Sequence, residues 1–442
     1  MSKKKENTGI NIGVKSFITA IVVIFVLMVL TYGLTFVVPG GEIPFWKWAL
    51  SPFLVLGADG NVSLIAVILF LLVIGGIFNC LDKCGLMKYM LDNITHKFGK
   101  DRYLLLALVT LFFMAMGSFI GSFEEAVPLV PIVVALALRL GWDALTGLGM
   151  SLLAIGCGFS AGVCNPFTVG VAQELAGLPM FSGIWFRLVS FLVVYLLLLG
   201  FLIFYAKKIE RPIDAEALQS NFKYDKKMSK GLKYFAGIMC TGILLVLSSV
   251  FITFLQDITM IIVAVTFLVA GLVSVIHTGR GGNILRTFYY GVSGVFPAVI
   301  MILMANSIKF TLVEGNVLDT ILQSMVSIAS VLPAWTVILF IYLFVLALNF
   351  FISSGSAKAF LLIPLIVPIA EKFGISSQLC IMAFAFGDGF SNVFYPTNPV
   401  LLIGLGLVNV DYGQWVKWSW KLQALNFILT SGLLLLGFVI GY

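Results

Sequence analysis

GSFIGSFEEAVPLVP (117–131) and FFISSGSAKAFLLIP (350–364) are two versions of one pattern, and reading them as a pair decides the fold. Each is followed by an apolar span that breaks at an asparagine–proline step. The first break is Cys164-Asn165-Pro166-Phe167-Thr168 and the second is Tyr395-Pro396-Thr397-Asn398-Pro399. Both copies set serines, glycines and prolines into stretches otherwise apolar enough for lipid. Hydrophobic segments interrupted by Gly and Pro at matching places in two halves mark the substrate site of secondary transporters.

Composition sets the solvent. The chain is 60% hydrophobic and 11% charged, with mean hydropathy +1.09. Soluble domains average about 25% charged residues, so the chain reads as an all-α polytopic membrane protein. Lys3, Lys4 and Lys5 precede an apolar run near 16–38. That run is too long for a signal core and reads as a retained span. The six cysteines show no metal-ligand spacing and read as small packing residues. His96 and His277 fall in segments read as basic loops, so neither metal nor haem is expected. The net charge of +7 sits between apolar spans, where it sets topology rather than binding nucleic acid.

Spans of roughly 20 apolar residues fall near 16–38, 62–80, 144–163, 183–206, 233–255, 258–277, 287–308, 378–394 and 422–441. That is about nine transmembrane helices. Two further pairs, 103–118 with 124–140 and 335–352 with 357–370, are joined by the polar tips. Glycine-rich linkers with prolines just beyond suit re-entrant hairpins buried at membrane depth. Lys and Arg crowd the N-terminus, 83–102 and 207–233, and recur at Arg280, Arg286, Lys417 and Lys421. A cytoplasmic N-terminus places all of them inside, with the C-terminus outside, in a bacterial-type cytoplasmic membrane.

The halves align in four ordered blocks. Gly121-Ser122 faces Ser354-Gly355, Gly158-Phe159-Ser160 faces Gly389-Phe390-Ser391, Asn165-Pro166 faces Asn398-Pro399, and Trp185 and Arg187 face Trp415 and Lys417. The second half starts after one odd span, so the repeats are expected to be inverted. The expected division is 1–206 for the first repeat, with its hairpin about 103–140 and broken helix about 144–177. A cytoplasmic linker and extra helix follow over 207–257. The second repeat takes 258–442, with its hairpin about 335–370 and broken helix about 378–409.

At GSFEEAVPLVP, GFSAGVCNPFT, SGSAKA and FGDGFSNVFYPTNP the chain resembles the YfcC-type members of the ion transporter superfamily. That group is related to anaerobic four-carbon-dicarboxylate carriers and ArcD-type basic amino acid antiporters. The resemblance spans nearly the whole chain. It implies a homodimer, two broken helices, two opposed hairpins and elevator-type alternating access. Two departures stand out. The position of Lys358 is often glutamine in the family, and PTNP often reads PTSG.

The chemistry-bearing residues cluster at the tips and breaks. A charge at bilayer depth costs roughly 2.5–3.5 kcal/mol on insertion scales, so it is paired or functional. Glu124 and Glu125 at the first tip either cap the following helix, bind a substrate ammonium or carry a proton. Lys358 aligns with Glu125. The two either form a salt bridge or clamp a zwitterion, lysine on the carboxylate and glutamate on the ammonium. Ser354 and Ser356 offer hydroxyls where a helix begins, as caps or as part of an anion site. Proline at each break frees backbone carbonyls, and Asn165, Thr168, Thr397 and Asn398 add neutral ligands. Asp388, with Ser122 and Asn392, reads as a coupling-ion site for Na⁺ or H⁺, or else as a partner for Lys358 or Lys309. Arg187 and Lys417, beside tryptophans, read as interfacial anchors.

The function expected is secondary active transport of a small charged or zwitterionic metabolite, an amino acid first, by ion coupling or exchange. Dicarboxylates or short carboxylates come second and Na⁺/H⁺ antiport third. An intramembrane enzyme ranks last, since no nucleophile–base pair, HExxH or CxxC motif is present. No cofactor is expected beyond a coupling ion, and the partners expected are a small substrate, the bilayer and a second copy.

Overall fold

The computed structural model describes residues 14–58, 62–98, 101–121, 123, 127, 129–179, 181–212, 224–248 and 259–442. All regular structure among them is helical. The helices used below are α1 (Val14–Thr35), α2 (Val62–Lys83), α3 (Leu86–Phe98), α4 (Arg102–Ala115), α5 (Val130–Arg139) and α6 (Ala144–Leu148). Next come α7 (Ala154–Ala161), α8 (Val171–Leu175), α9 (Ile184–Ile209), α10 (Lys226–Ser248), α11 (Thr259–Thr278) and α12 (Ile284–Glu314). The chain ends with α13 (Val317–Ala329), α14 (Ala334–Leu348), α15 (Gly355–Lys372), α16 (Ser377–Gly389), α17 (Pro399–Leu407) and α18 (Tyr412–Ile440).

Among the described residues, six helical stretches are long and apolar enough to cross a bilayer: Arg102–Ile120, Ala144–Leu175, Ile184–Ile209, Ile261–Thr278, Ile284–Glu314 and Tyr412–Ile440. The pair α2 and α3, bent by 75°, makes a seventh if counted as one span. Their environments differ. The apolar window of Ala144–Leu175 is 94% buried, against 28% for the windows of α9 and α18. The first broken stretch is therefore the axis of the molecule, and α9 and α18 present Leu192, Leu196, Leu425 and Ile428 outward as a rim facing lipid.

Two helix groups pack side by side. One is α1, α2, α10, α11 and α12, where α2 lies against both α11 and α12 and α10 against α11. The other gathers α4 to α9, α14 to α16 and α18 around a central contact between α7 and α16, while α17 lies against α1 and α12 as well as α5. That contact is close because Gly389 lacks a side chain: a Cβ there would strike the Ser160 backbone. Ser160 Oγ donates across the same contact to the Phe386 carbonyl at 3.1 Å.

Three sequence expectations change here. Within the expected loop 83–102, residues 86–98 form a helix, and because Leu86 and Leu91 bury one face while Lys88 stays exposed, α3 is amphipathic. His96 consequently lies on α3, and His277 in the last turn of α11, rather than in loops. A second amphipathic helix, α13, buries Val317, Leu318, Leu322 and Met325. The expected spans 233–255 and 422–441 begin earlier, at Lys226 and Tyr412. Lysines at their ends keep their charge outward on apolar stems, so the helix outruns its hydrophobic window.

Candidate functional site

Four helix ends converge at the centre. In the first half, α4 runs through a wide turn, Met116–Ile120, and stops at Gly121. Ser118 stitches that end to the first break: its Oγ accepts from Val163 N (3.0 Å) and its carbonyl from Cys164 N (3.1 Å). The break ends where Asn165 caps a new helix, its Oδ1 accepting from Phe167 N (2.9 Å) and Thr168 N (3.3 Å). Pro166 follows in the first turn, where its missing N–H has no cost. The second break repeats the device, with Asn398 Oδ1 accepting from Val400 N at 2.9 Å and Pro399 next. Wide helical turns of this kind recur at functional sites.

The fourth end is the start of α15. Ser354 caps it, accepting from Ala357 N at 3.4 Å. Gly355 then passes so close to the first break and to α16 that a Cβ would press on Asp388 Oδ2 at 2.5 Å and Thr168 Cγ2 at 2.6 Å. One glycine therefore lets the second tip, the first break and α16 share a surface.

Behind Gly355 lies a buried polar network. Lys358 pairs with Asp388, and both side chains are fully buried. The Lys358 ammonium also donates to Asn349 Oδ1. Asn349 Nδ2 in turn donates to the Asp388 carbonyl (2.9 Å), Ser391 Oγ (2.5 Å) and Asn392 Oδ1 (3.1 Å). Asn398 Nδ2 donates to the same Asn392 oxygen at 3.0 Å. One chain of hydrogen bonds thus runs from α15 through the end of α14 to the second break.

Four buried polar atoms in these elements have no hydrogen-bond partner: Asn165 Nδ2, Thr168 Oγ1, Asp388 Oδ2 and Thr397 Oγ1. Buried polar atoms are almost always paired, and each exception needs an explanation. A donor, two hydroxyls and a carboxylate oxygen left bare beside helix N-termini are what a polar ligand would satisfy.

The structure links Thr168, across Gly355, to Asp388 and Lys358, and these through Asn349 to Asn392 and Asn398, while Asn165 caps the helix that carries Thr168 and Thr397 precedes Asn398 in the second break. Ser356 is half-buried, and Ser354 is exposed and engaged as a cap. Ser122, Glu124 and Glu125 lie outside the described residues, and the pairing of Glu125 with Lys358 lies there with them. Asp388 has Lys358, not Lys309, as its partner. Asn349 escaped the sequence reading. It ends the apolar run Ala347-Leu348-Asn349, and a lone amide inside such a run was the available signal.

Arg187 differs from the expectation of an interfacial anchor. It is 1% exposed, and donates to the Val163 carbonyl (3.2 Å), the Ser182 carbonyl (2.8 Å), Tyr442 Oη (3.3 Å) and Gln378 Oε1 (3.4 Å). Those acceptors replace water for its guanidinium. Its aligned counterpart Lys417 is exposed. The tryptophans exchange places too: Trp185 is exposed, while Trp415 is buried and donates to the Val393 carbonyl at 2.8 Å.

Comparison with known proteins follows the same lines. Residues 51–439 match the family model described as C4-dicarboxylate anaerobic carrier. An Escherichia coli (strain K12) protein described as "Putative basic amino acid antiporter YfcC" is 30% identical over 400 residues, covering 86% of this chain and 78% of that protein. An uncharacterized Haemophilus influenzae protein is 24% identical over 376 residues, covering 81% of this chain and 72% of its own. Among solved structures, the Alcanivorax borkumensis YdaH transporter aligns with a TM-score of 0.50 at 15% identity, over 96% of this chain and 99% of that one.

Proposed function

The chain belongs to the C4-dicarboxylate anaerobic carrier family, as a YfcC-type member, and from that footing we propose that it is a secondary active transporter of a small zwitterionic metabolite, an amino acid first. Membership makes it a multi-pass membrane transporter rather than an enzyme. The substrate reading rests on one observation: the elements that meet here leave four buried polar atoms unpaired and hold a buried cation and anion, Lys358 and Asp388.

That centre carries no net charge from its own ion pair. A ligand whose charges cancel enters it without adding an uncompensated charge, which in a buried site costs several kcal/mol. In this reading Thr168 Oγ1 and Asn165 Nδ2 take the substrate carboxylate, helped by the N-terminus that Asn165 caps. Asp388 Oδ2 and Thr397 Oγ1 take the ammonium. Glu124 and Glu125 join them as substrate ligands in this reading. A dicarboxylate is the second reading, favoured by the name of the family model. It would need both charges neutralised at helix N-termini.

The centre is closed. Lys358, Asp388, Asn165 and Thr168 are all fully buried, whereas Ser354 at the tip is exposed. We read the two tips as gates, the two halves as inverted repeats divided near 206 and 258, and about nine spans with two re-entrant hairpins as the full count. In the same reading the body holding both breaks slides as an elevator against α1, α2 and α10 to α12. A homodimer in a bacterial cytoplasmic membrane, N-terminus inside, completes the proposal.

Counterflow into proteoliposomes tests it. Vesicles preloaded with an unlabelled amino acid should accumulate the labelled one faster than empty vesicles. Uptake without trans-stimulation would mean a channel. A thermal-shift screen sorts the substrate, since a ligand binding only the native state raises its apparent stability. Shifts with dicarboxylates alone would reject the amino acid reading.

A further inference from the structure

We propose that the Lys358 ammonium is a tethered cation, filling a monovalent-cation site built from Asn349 and Asp388, so that this protein binds its substrate without Na⁺. The inference rests on reading this cluster as the carrier's binding centre, and it names the coupling property of that centre.

The site is built, not incidental. Asn349 Nδ2 is held on three acceptors, the Asp388 carbonyl, Ser391 Oγ and Asn392 Oδ1. That grip turns Asn349 Oδ1 toward the cation it meets, the Lys358 ammonium. Asn392 Oδ1 is occupied by two amide donors, from Asn349 and Asn398. The oxygens left for a cation are therefore Asn349 Oδ1 and the Asp388 carboxylate. Oxygen ligands of this kind, a carboxylate and an amide carbonyl beside a helix break, are what hard monovalent cations take in transporters.

Helix position does not account for the lysine. Lys358 stands in the first turn of α15, where the positive end of the helix dipole repels a cation. Its stem is wholly buried, so it gains nothing from water. The attraction that holds it there is Asp388. A buried carboxylate stays ionised only with a positive partner beside it. Here that partner is covalently attached to the opposing helix, and a Na⁺ ion would have to displace it. Asn349, Asp388 and Asn392 all lie on α14, α16 and their ends, so the receptor is in place without α15. Only the charge arrives from α15.

The test is ion-dependent stability of the purified full-length protein in detergent, without substrate. Wild type should melt at the same temperature in NaCl and in choline chloride of equal ionic strength. Lys358→Ala should melt lower in choline and regain stability with Na⁺ in a saturable way, by about 3 °C at ten times the Na⁺ Kd. The double variant K358A/D388N should lose that gain. If K358A does not survive extraction, K358Q takes its place, since it keeps the bulk and removes the charge. A saturable Na⁺-dependent rise in wild type overturns the proposal, as does a folded K358A or K358Q that ignores Na⁺. Because no substrate is present, these outcomes are separate from a failure of counterflow, which would sink the carrier reading alone.

Discussion

Asp388 keeps one carboxylate oxygen on Lys358 and the other without a partner. Removing Asp388 alone leaves an ammonium buried with one amide oxygen. D388A should therefore lower unfolding free energy by about 3–5 kcal/mol, while the apolar pair K358M/D388L stays near wild type. Chaotrope titration in detergent reads both, and a D388A as stable as wild type would remove the ion pair from the account. Thr168 behaves oppositely, because its hydroxyl bonds nothing in the protein. T168V should melt like wild type yet bind substrate about tenfold more weakly, the worth of one hydrogen bond. Ligand titration by thermal shift separates the two effects. At this scale the sequence was most legible where membrane burial is costly: Lys358 and Asp388 announce themselves as charges in apolar runs. Asn349 and the burial of Arg187 were hidden for opposite reasons. An amide at a span's end is ordinary, and an arginine beside a tryptophan looks interfacial until the fold wraps it.

Helix ends carry the next layer of behaviour. Both breaks use an asparagine cap followed by proline, and that dipeptide was readable in the sequence because its physics is local. Amphipathic α3 was not read because its charges were assigned to topology, and α13 because its apolar stripe is short. Outside the bilayer, Asp225 caps α10, accepting from Lys227 N (2.9 Å) and Met228 N (3.2 Å), and pairs with Arg280 at 3.0 Å. The Met228 N–H above all, then the Lys227 N–H and the Arg280 charge, hold its carboxyl below the usual carboxylate range. A depressed folded value means that the cap's contribution is complete above the unfolded value of about 3.9. It is lost as pH falls through the folded value. Hydrogen exchange in the first turn of α10, corrected for intrinsic rates, should lose protection below about pH 4. D225N, which keeps an acceptor but does not titrate, should show no such step. A wild-type profile as flat as that of D225N would refute the titration.

The whole molecule sets a cassette of helices that holds both breaks beside a second helix group, with α3 reaching between them. Asp92 on α3 pairs with Arg139 at the end of α5. If the cassette slides, this pair must part in the other state. Cross-linking D92C to R139C, with the exposed Cys240 replaced by serine, should abolish counterflow until reductant is added. Unchanged counterflow in the cross-linked protein would reject sliding along that seam. The membrane class was legible from composition, and the two asparagine–proline breaks from their spacing. The side-by-side grouping was not, because it depends on which apolar faces meet, and lipid and protein interiors select the same residues. Arg187 has one more consequence. Its guanidinium binds the carbonyl at the first break and the amide of Gln378 at the start of α16, while Ser160 and Gly389 interlock the same two units farther in. These ties cross the boundary between the halves of the chain. That boundary is therefore not a fracture plane, and a rocking motion that pried the halves apart would break these close joints. Hinges belong instead in the linkers that leave the other helix group for the cassette, such as the Gly315–Asn316 turn after α12, and a proline or glycine scan of transport rate should find its sensitive positions there.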